Sequence, residues 1–159
     1  MKYEIKTFDN LKHRDQVILL WKEVFGYEAD HNVPKLVIDK KLEFGDGLFF
    51  IATDNKSAVG TVMAGYDGHR GWIYSIAVSS GYRRQGLGSA LLSFAEEKLS
   101  KLGCMKINLQ IMEGNEAVEK FYLSNGYHTE KRISMGKRLE QNINHTEHYR
   151  SVDSQGRGN

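Results

Sequence analysis

The chain has 159 residues, 40% of them hydrophobic and 26% charged, and its 22 Lys and Arg against 20 Asp and Glu leave a formal net charge of +2. Such a composition suits one ordinary globular domain with room for a short tail. So small a net charge carries no electrostatic footprint for nucleic acid or an anionic membrane surface, and no apolar run approaches the roughly 18 to 20 residues that span a bilayer.

The opening MKYEIKTFDN has no apolar stretch of the signal-peptide kind, so a cytoplasmic protein with no nucleic-acid and no membrane partner is expected. The single cysteine, Cys104, cannot close an internal disulfide and has no Cys or His at zinc-ligand spacing. It reads as a reduced, partly buried thiol, and no metal site is expected.

Hydrophobic periodicity switches repeatedly between two-residue and helical spacing, which predicts a mixed α/β domain without internal repeats. Residues 2–8 alternate as a first strand. Asp9 or Asn10 can cap a helix whose Val17, Leu20, Trp21 and Val24 share one face and which ends near Gly26. Residues 27–33 are polar and loop-like, and Pro34 suits the first turn of a second helix to about Leu42. A hairpin follows, with residues 48–53 and 58–66 as strands around Asp54-Asn55-Lys56. A second turn, Asp67 to Gly71, leads to a strand over 72–78 that ends in Ser79-Ser80-Gly81.

Leu91, Ala95, Leu99 and Leu102 then mark an amphipathic helix stopped by Gly103. Residues 106–112 read as a strand, Asn115 as the cap of a short helix carrying Val118, Phe121 and Tyr122, and residues 127–135 as a last strand. The domain is expected over residues 1–140, with 141–159 a polar, flexible tail.

The chemistry-bearing segment runs from Ile76 through Arg83-Arg84-Gln85-Gly86-Leu87-Gly88-Ser89, a strand passing through a basic, glycine-containing turn straight into a helix. Backbone N–H groups at a helix N-terminus point outward with the positive end of the helix dipole, and Gly86 and Gly88 let anion oxygens approach without a Cβ in the way. A P-loop is excluded because no Gly-Lys-Ser/Thr follows. The dinucleotide fingerprint fails as well, since Leu91 stands where its third glycine belongs and hairpins precede the site.

The string Arg83 to Gly88 resembles the acyl-CoA pyrophosphate signature Arg/Gln-x-x-Gly-x-Gly/Ala of the GNAT superfamily of N-acetyltransferases. The Ile76-Ala77-Val78 strand before it and NEAVEKFYLSNGY, residues 115–127, match that family in type and order. The resemblance covers roughly residues 3–139, and GTVMAGYDGHRG, residues 60–71, is similar to the bacterial YpeA-like branch. It implies an α+β domain with a mixed, mostly antiparallel sheet of six to seven strands flanked by about four helices. That sheet would splay between its fourth and fifth strands around the pantetheine arm.

The implied cosubstrate is acetyl-CoA and the implied reaction is acetyl transfer to a primary amine of a small molecule, protein or peptide. By resemblance, Ile76, Ala77, Val78, Arg83, Arg84, Gln85, Gly86, Leu87, Gly88, Ser89, Asn115 and Tyr122 hold the cofactor. The Val78 N–H would bind the thioester carbonyl, and Tyr122 would be the catalytic residue beside the sulfur. On the residues alone, without the glycine motif, Asn115 reads only as a helix cap and Tyr122 only as a half-buried core tyrosine.

Direct transfer needs a neutral amine, a stabilised oxyanion and a proton for the departing thiolate. Relatives that carry a glutamate on the strand before Val78 are not matched here, because residues 72–77 hold no carboxylate, and Gln110 stands where ribosomal-protein acetyltransferases carry a glutamate. Asp67 and His69 read as turn residues, which leaves Glu113, the loop residues Glu28, Asp30 and His31, or a water relay as the base. A lysine amine of pKa about 10.4 is neutral in roughly one molecule in 2,500 at pH 7, against about one in six for an α-amine, so α-amines and weakly basic amines are the favoured acceptors. A nonenzymatic acyl-CoA-binding or sensing module is the competing class, and a homodimer through an edge strand stays open.

Overall fold

The computed structural model describes residues 2–26 and 32–139. The tail expected over 141–159 and the loop candidates Glu28, Asp30 and His31 lie outside the described residues. The chain divides into two compact units, Met1–Gln110 and Ile111–Asn159, each taken here by itself.

The first unit runs β1 (Glu4–Thr7), α1 (Asn10–Phe25), α2 (Asn32–Phe44), β2 (Phe49–Asp54), β3 (Ser57–Tyr66), β4 (Gly71–Val78), a 3-10 turn (Ser80–Tyr82), α3 (Leu87–Lys101) and β5 (Ile107–Asn108). The second unit carries α4 (Glu116–Ser124). The sheet order is β1-β2-β3-β4-β5, antiparallel throughout except for the parallel β4–β5 pair. The fold is therefore α+β, with four helices among the described residues and a mixed, mostly antiparallel sheet.

Local chemistry explains the boundaries. Asp9 accepts the N–H groups of Leu11 (3.0 Å) and Lys12 (3.3 Å), while its own N–H donates to His13 Nδ1 at 2.9 Å, a reciprocal cap that starts α1. Gly26, at φ 69°, ends the helix by donating to Lys22 O at 3.0 Å. The β2–β3 turn places Asn55 (φ 46°) and Lys56 (φ 72°) in the left-handed region, the geometry that matches the twist of a two-residue hairpin.

One apolar cluster joins Phe8, Val17, Leu20, Trp21, Ile38, Phe49, Ile51, Met63 and Ala77. Within it Phe8 stacks on Phe49 with ring centroids 4.2 Å apart. The α3 stripe Leu87, Leu91, Leu92, Ala95 and Leu99 is buried too, and a Cβ on Gly60 would stand 2.8 Å from Leu91 Cδ1, so the helix packs directly on β3 there. Lys41 of α2 is 8% exposed, yet its Nζ is fully partnered by Asp46 Oδ2 (2.8 Å), Tyr74 Oη (2.8 Å) and the Ala64 carbonyl.

Two expectations are corrected. The sheet has five strands among the described residues rather than six to seven, because residues 127–135 form no strand. Five consecutive polar residues, 128–132, give that segment no apolar face, and its Ile133 and Met135 are 92% and 90% exposed. The strand expected over 106–112 reduces to Ile107–Asn108, which pair only with Gly71 and Trp72.

Candidate active site

The shortness of β5 decides what β4 can do. From Ile73 onward β4 has no strand paired to it on the β5 side among the described residues, and there Val78 O is taken by Arg83 Nε at 3.1 Å. Ser79 N–H donates to Val59 O at 2.9 Å, and strand alternation therefore turns the Val78 N–H toward the open side. The β4–β5 pairing thus ends at Trp72 and Asn108, ahead of Val78.

A β-bulge sets the path of β4 into that region. Its register against β3 slips between Thr61 and Met63, with Ser75 at φ 51°. The buried Thr61 hydroxyl fixes the bulge by donating to Ser75 O at 3.3 Å while accepting Trp21 Nε1–H at 2.9 Å. Sequence reasoning assigned Trp21 to the core and gave Thr61 no role, since the contact depends on a cross-strand register that local pattern does not encode.

Past Val78 the chain makes the 3-10 turn and reverses through Arg84 (φ 60°) and Gly86 (φ 82°) into α3. No side chain among the described residues caps α3, so the N–H groups at its start, from Gly86 to Ser89, keep their outward-pointing capacity. The Ala90 N–H is the first one donated within the helix, to Gly86 O at 2.9 Å. Leu87 is 1% exposed and anchors the helix start, whereas Arg83, Arg84 and Gln85 are exposed. Arg83 Nε donates to Val78 O at 3.1 Å and Gln85 Nε2 to Gly81 O at 3.3 Å.

Two contacts that sequence reasoning missed brace this turn. Tyr82 Oη donates to Asp54 Oδ2 at 2.8 Å, which ties the turn to the β2–β3 hairpin. Glu23, on the exposed side of α1, accepts the Ser80 N–H at 2.9 Å, and that bond, with the Ser80 side chain next and then the Arg83 charge and the Ser79 side chain, holds its carboxyl below the ordinary range. Nothing in the local sequence marks Glu23.

In the second unit, Asn115 caps α4 by accepting the Val118 N–H at 3.3 Å. Tyr122 is 5% exposed, edge-on to Phe121 and Tyr127, and burial pushes its phenol up to about 12. The base candidates differ in setting. Asp67 accepts the N–H groups of His69 (2.8 Å) and Arg70 (2.7 Å), which lower its carboxyl, so it and His69 are turn residues as read from the sequence. Glu113 is exposed. Cys104 is half-buried and donates weakly to Lys106 O at 3.3 Å.

A sequence profile of the Acetyltransferase (GNAT) family matches residues 14–127. An acetyltransferase of Yersinia pestis (strain Pestoides F) is 42% identical over 125 residues, 79% of this chain and 88% of its own length. Among solved structures, the PaiA N-acetyltransferase of Thermoplasma acidophilum in complex with coenzyme A superposes with a TM-score of 0.75 at 17% identity, over 84% of this chain and 94% of that one. The ribosomal-protein-S18-alanine N-acetyltransferase of Escherichia coli gives a TM-score of 0.63 at 22% identity, over 79% and 77%.

Proposed function

The chain belongs to the GNAT family of acetyltransferases, and on that premise we propose that it carries an acetyl group from acetyl-CoA to a primary amine, on a small molecule or on a protein or peptide, by direct attack. The observation that carries this reading is the junction of β4 and α3, an open strand edge followed by an uncapped helix start. A dianionic pyrophosphate fits that junction: Gly86 requires its left-handed φ, nothing lies within 4 Å of where its Cβ would stand, and Arg83 and Arg84 are exposed beside it.

Acetyl-CoA supplies the acetyl group as a thioester already activated for attack. The main chain of Ile76, Ala77 and Val78 lines the pantetheine arm, and the Val78 N–H polarises the thioester carbonyl. The N–H groups of Gln85, Gly86, Leu87, Gly88 and Ser89, with the Arg83 and Arg84 guanidiniums, would hold the pyrophosphate, and Asn115 and Tyr122 of the second unit are assigned to the cofactor by the family resemblance alone. Tyr122 acts as a hydrogen-bond donor to sulfur. Burial holds its phenol up at about 12, which keeps the proton on oxygen and leaves the hydroxyl a donor.

No carboxylate stands on β4 to strip a proton from the acceptor. Amines substantially neutral at pH 7, α-amines and weakly basic amines, are therefore the favoured acceptors. No helix among the described residues is long and apolar enough to cross a membrane. We place the chain in the YpeA-like branch on residues 60–71, acting in the cytoplasm.

Thermal unfolding with and without acetyl-CoA tests the reading, with desulfo-CoA and ATP as controls. A ligand at 100 times its Kd stabilises by about 2.7 kcal/mol, a rise of several degrees for a chain of this size. A rise with acetyl-CoA and desulfo-CoA that ATP does not match is expected, followed by amine-dependent thiol release. No rise at millimolar acetyl-CoA would remove the junction as a cofactor site.

A further inference from the structure

Helix α1 grips β4 on both sides of Val78. Upstream, Trp21 Nε1–H reaches the Thr61 hydroxyl, which holds Ser75 O. Downstream, two residues further along the same helix, Glu23 Oε1 accepts the Ser80 N–H at 2.9 Å. The Arg83 guanidinium, tied by Nε to Val78 O, contributes its charge to the Glu23 carboxylate. Ser80 opens the 3-10 turn that sets the direction of Arg83, Arg84 and Gly86. The turn has no side-chain cap of its own at Ser79 and none at Gly86, so Glu23 is an acceptor brought from another element to a main-chain donor that the turn leaves over.

We infer that Glu23 is a positioning residue for the cofactor turn, acting through the Ser80 N–H, so that α1 sets how the pyrophosphate and the thioester carbonyl are presented. The inference rests on the acetyl-CoA reading above. Two effects of the carboxylate oppose one another. Its charge repels an incoming dianion and competes for Arg83, but Glu23 is exposed, so water and salt screen that repulsion. The hydrogen bond acts at contact range, where salt weakens it less than the longer-range repulsion, and it orders the residues that must meet the ligand, so positioning wins. A held-down carboxyl is also a poor proton acceptor for an ammonium, which separates Glu23 from the missing base.

The test compares Glu23→Gln, which keeps an oxygen for the Ser80 N–H and loses the charge, with Glu23→Ala, which loses both. Losing one charge-assisted hydrogen bond corresponds to about tenfold in binding. The Ala variant should raise the KM for acetyl-CoA about tenfold with kcat at saturation within about twofold, while the Gln variant stays within about threefold of the parent on both. An unchanged KM in Glu23→Ala, a fall in kcat at constant KM, or a Gln variant as impaired as Ala would overturn the inference. Amide hydrogen exchange on the ligand-free proteins gives a second readout, independent of the cofactor: Ser80 exchange should quicken in the Ala variant and not in the Gln variant. Equal Ser80 exchange in all three proteins sinks the inference even if acetyl-CoA binds, whereas a parent protein that ignores acetyl-CoA but shows the exchange pattern sinks the cofactor reading and with it the positioning role, leaving Glu23 only a brace of the turn.

Discussion

Tyr122 shows how burial selects a chemical role for a side chain. A phenol in water near pKa 10 and a thiol near 8.5 differ by an amount small enough for proton transfer to compete with hydrogen bonding. At 5% exposure, packed between two aromatic rings, the Tyr122 phenol is pushed up to about 12 and remains a donor that does not part with its proton. Tyr122→Phe should then cut kcat at least tenfold, the worth of one hydrogen bond to a developing charge, with acetyl-CoA affinity within about twofold of the parent. Stopped-flow or steady-state thiol release against isothermal titration separates the two quantities, and equal turnover in both proteins would remove Tyr122 from the mechanism. The substitution keeps the ring that fills the aromatic contact and deletes only the hydroxyl, so a large change in stability is not expected from packing.

The elements were legible where their signals are local. Asp9 and Gly26 bracket α1, Asn115 begins α4, and the Arg83 to Gly88 string marks the turn into α3, because caps and left-handed glycines act within a few residues. What depends on partners across the sheet was not legible. The β-bulge exists through the register of β3 against β4, and its clasp joins Trp21, Thr61 and Ser75 from three elements. Residues 127–135 carry Tyr127, Ile133 and Met135, but the five polar residues between leave no apolar face to recruit a partner. Lys41 is buried by Asp46 and Tyr74, neither of which its own helix announces. Thr61→Val tests the clasp: the isosteric change strips the hydroxyl from a site with 0% exposure, leaving the Trp21 N–H without its acceptor. A loss of about 1–3 kcal/mol in a urea titration is expected, with the slope unchanged. A midpoint equal to the parent's would mean that the bulge holds without the clasp.

For the molecule as a whole, two buried ionisable rings limit the pH range of full stability. His13 is 6% exposed and accepts the Asp9 N–H on Nδ1, so the folded chain holds it neutral and its pKa falls, burial first and the Lys6 charge second. As pH drops below about 6.5 the unfolded chain takes up the proton before the folded one does, and stability declines. Tyr122 acts at the other end with the opposite sign of shift. Its raised pKa means that the unfolded chain loses the phenol proton near 10 while the folded chain keeps it to about 12. Its contribution is therefore complete below pH 10 and is lost as pH rises toward 12, by about 2–3 kcal/mol across that window. Tyr82 shifts the same way through its bond to Asp54, but it lies at the surface and adds only to the shape of the alkaline limb. Urea midpoints measured from pH 5 to 12 should trace a plateau that falls on both sides, and in Tyr122→Phe the alkaline fall should shrink without disappearing while the acid fall stays where it was. An alkaline limb identical in the two proteins would mean that the folded chain gives up the Tyr122 proton as readily as the unfolded one, and the donor role assigned to that hydroxyl would then lose its physical basis.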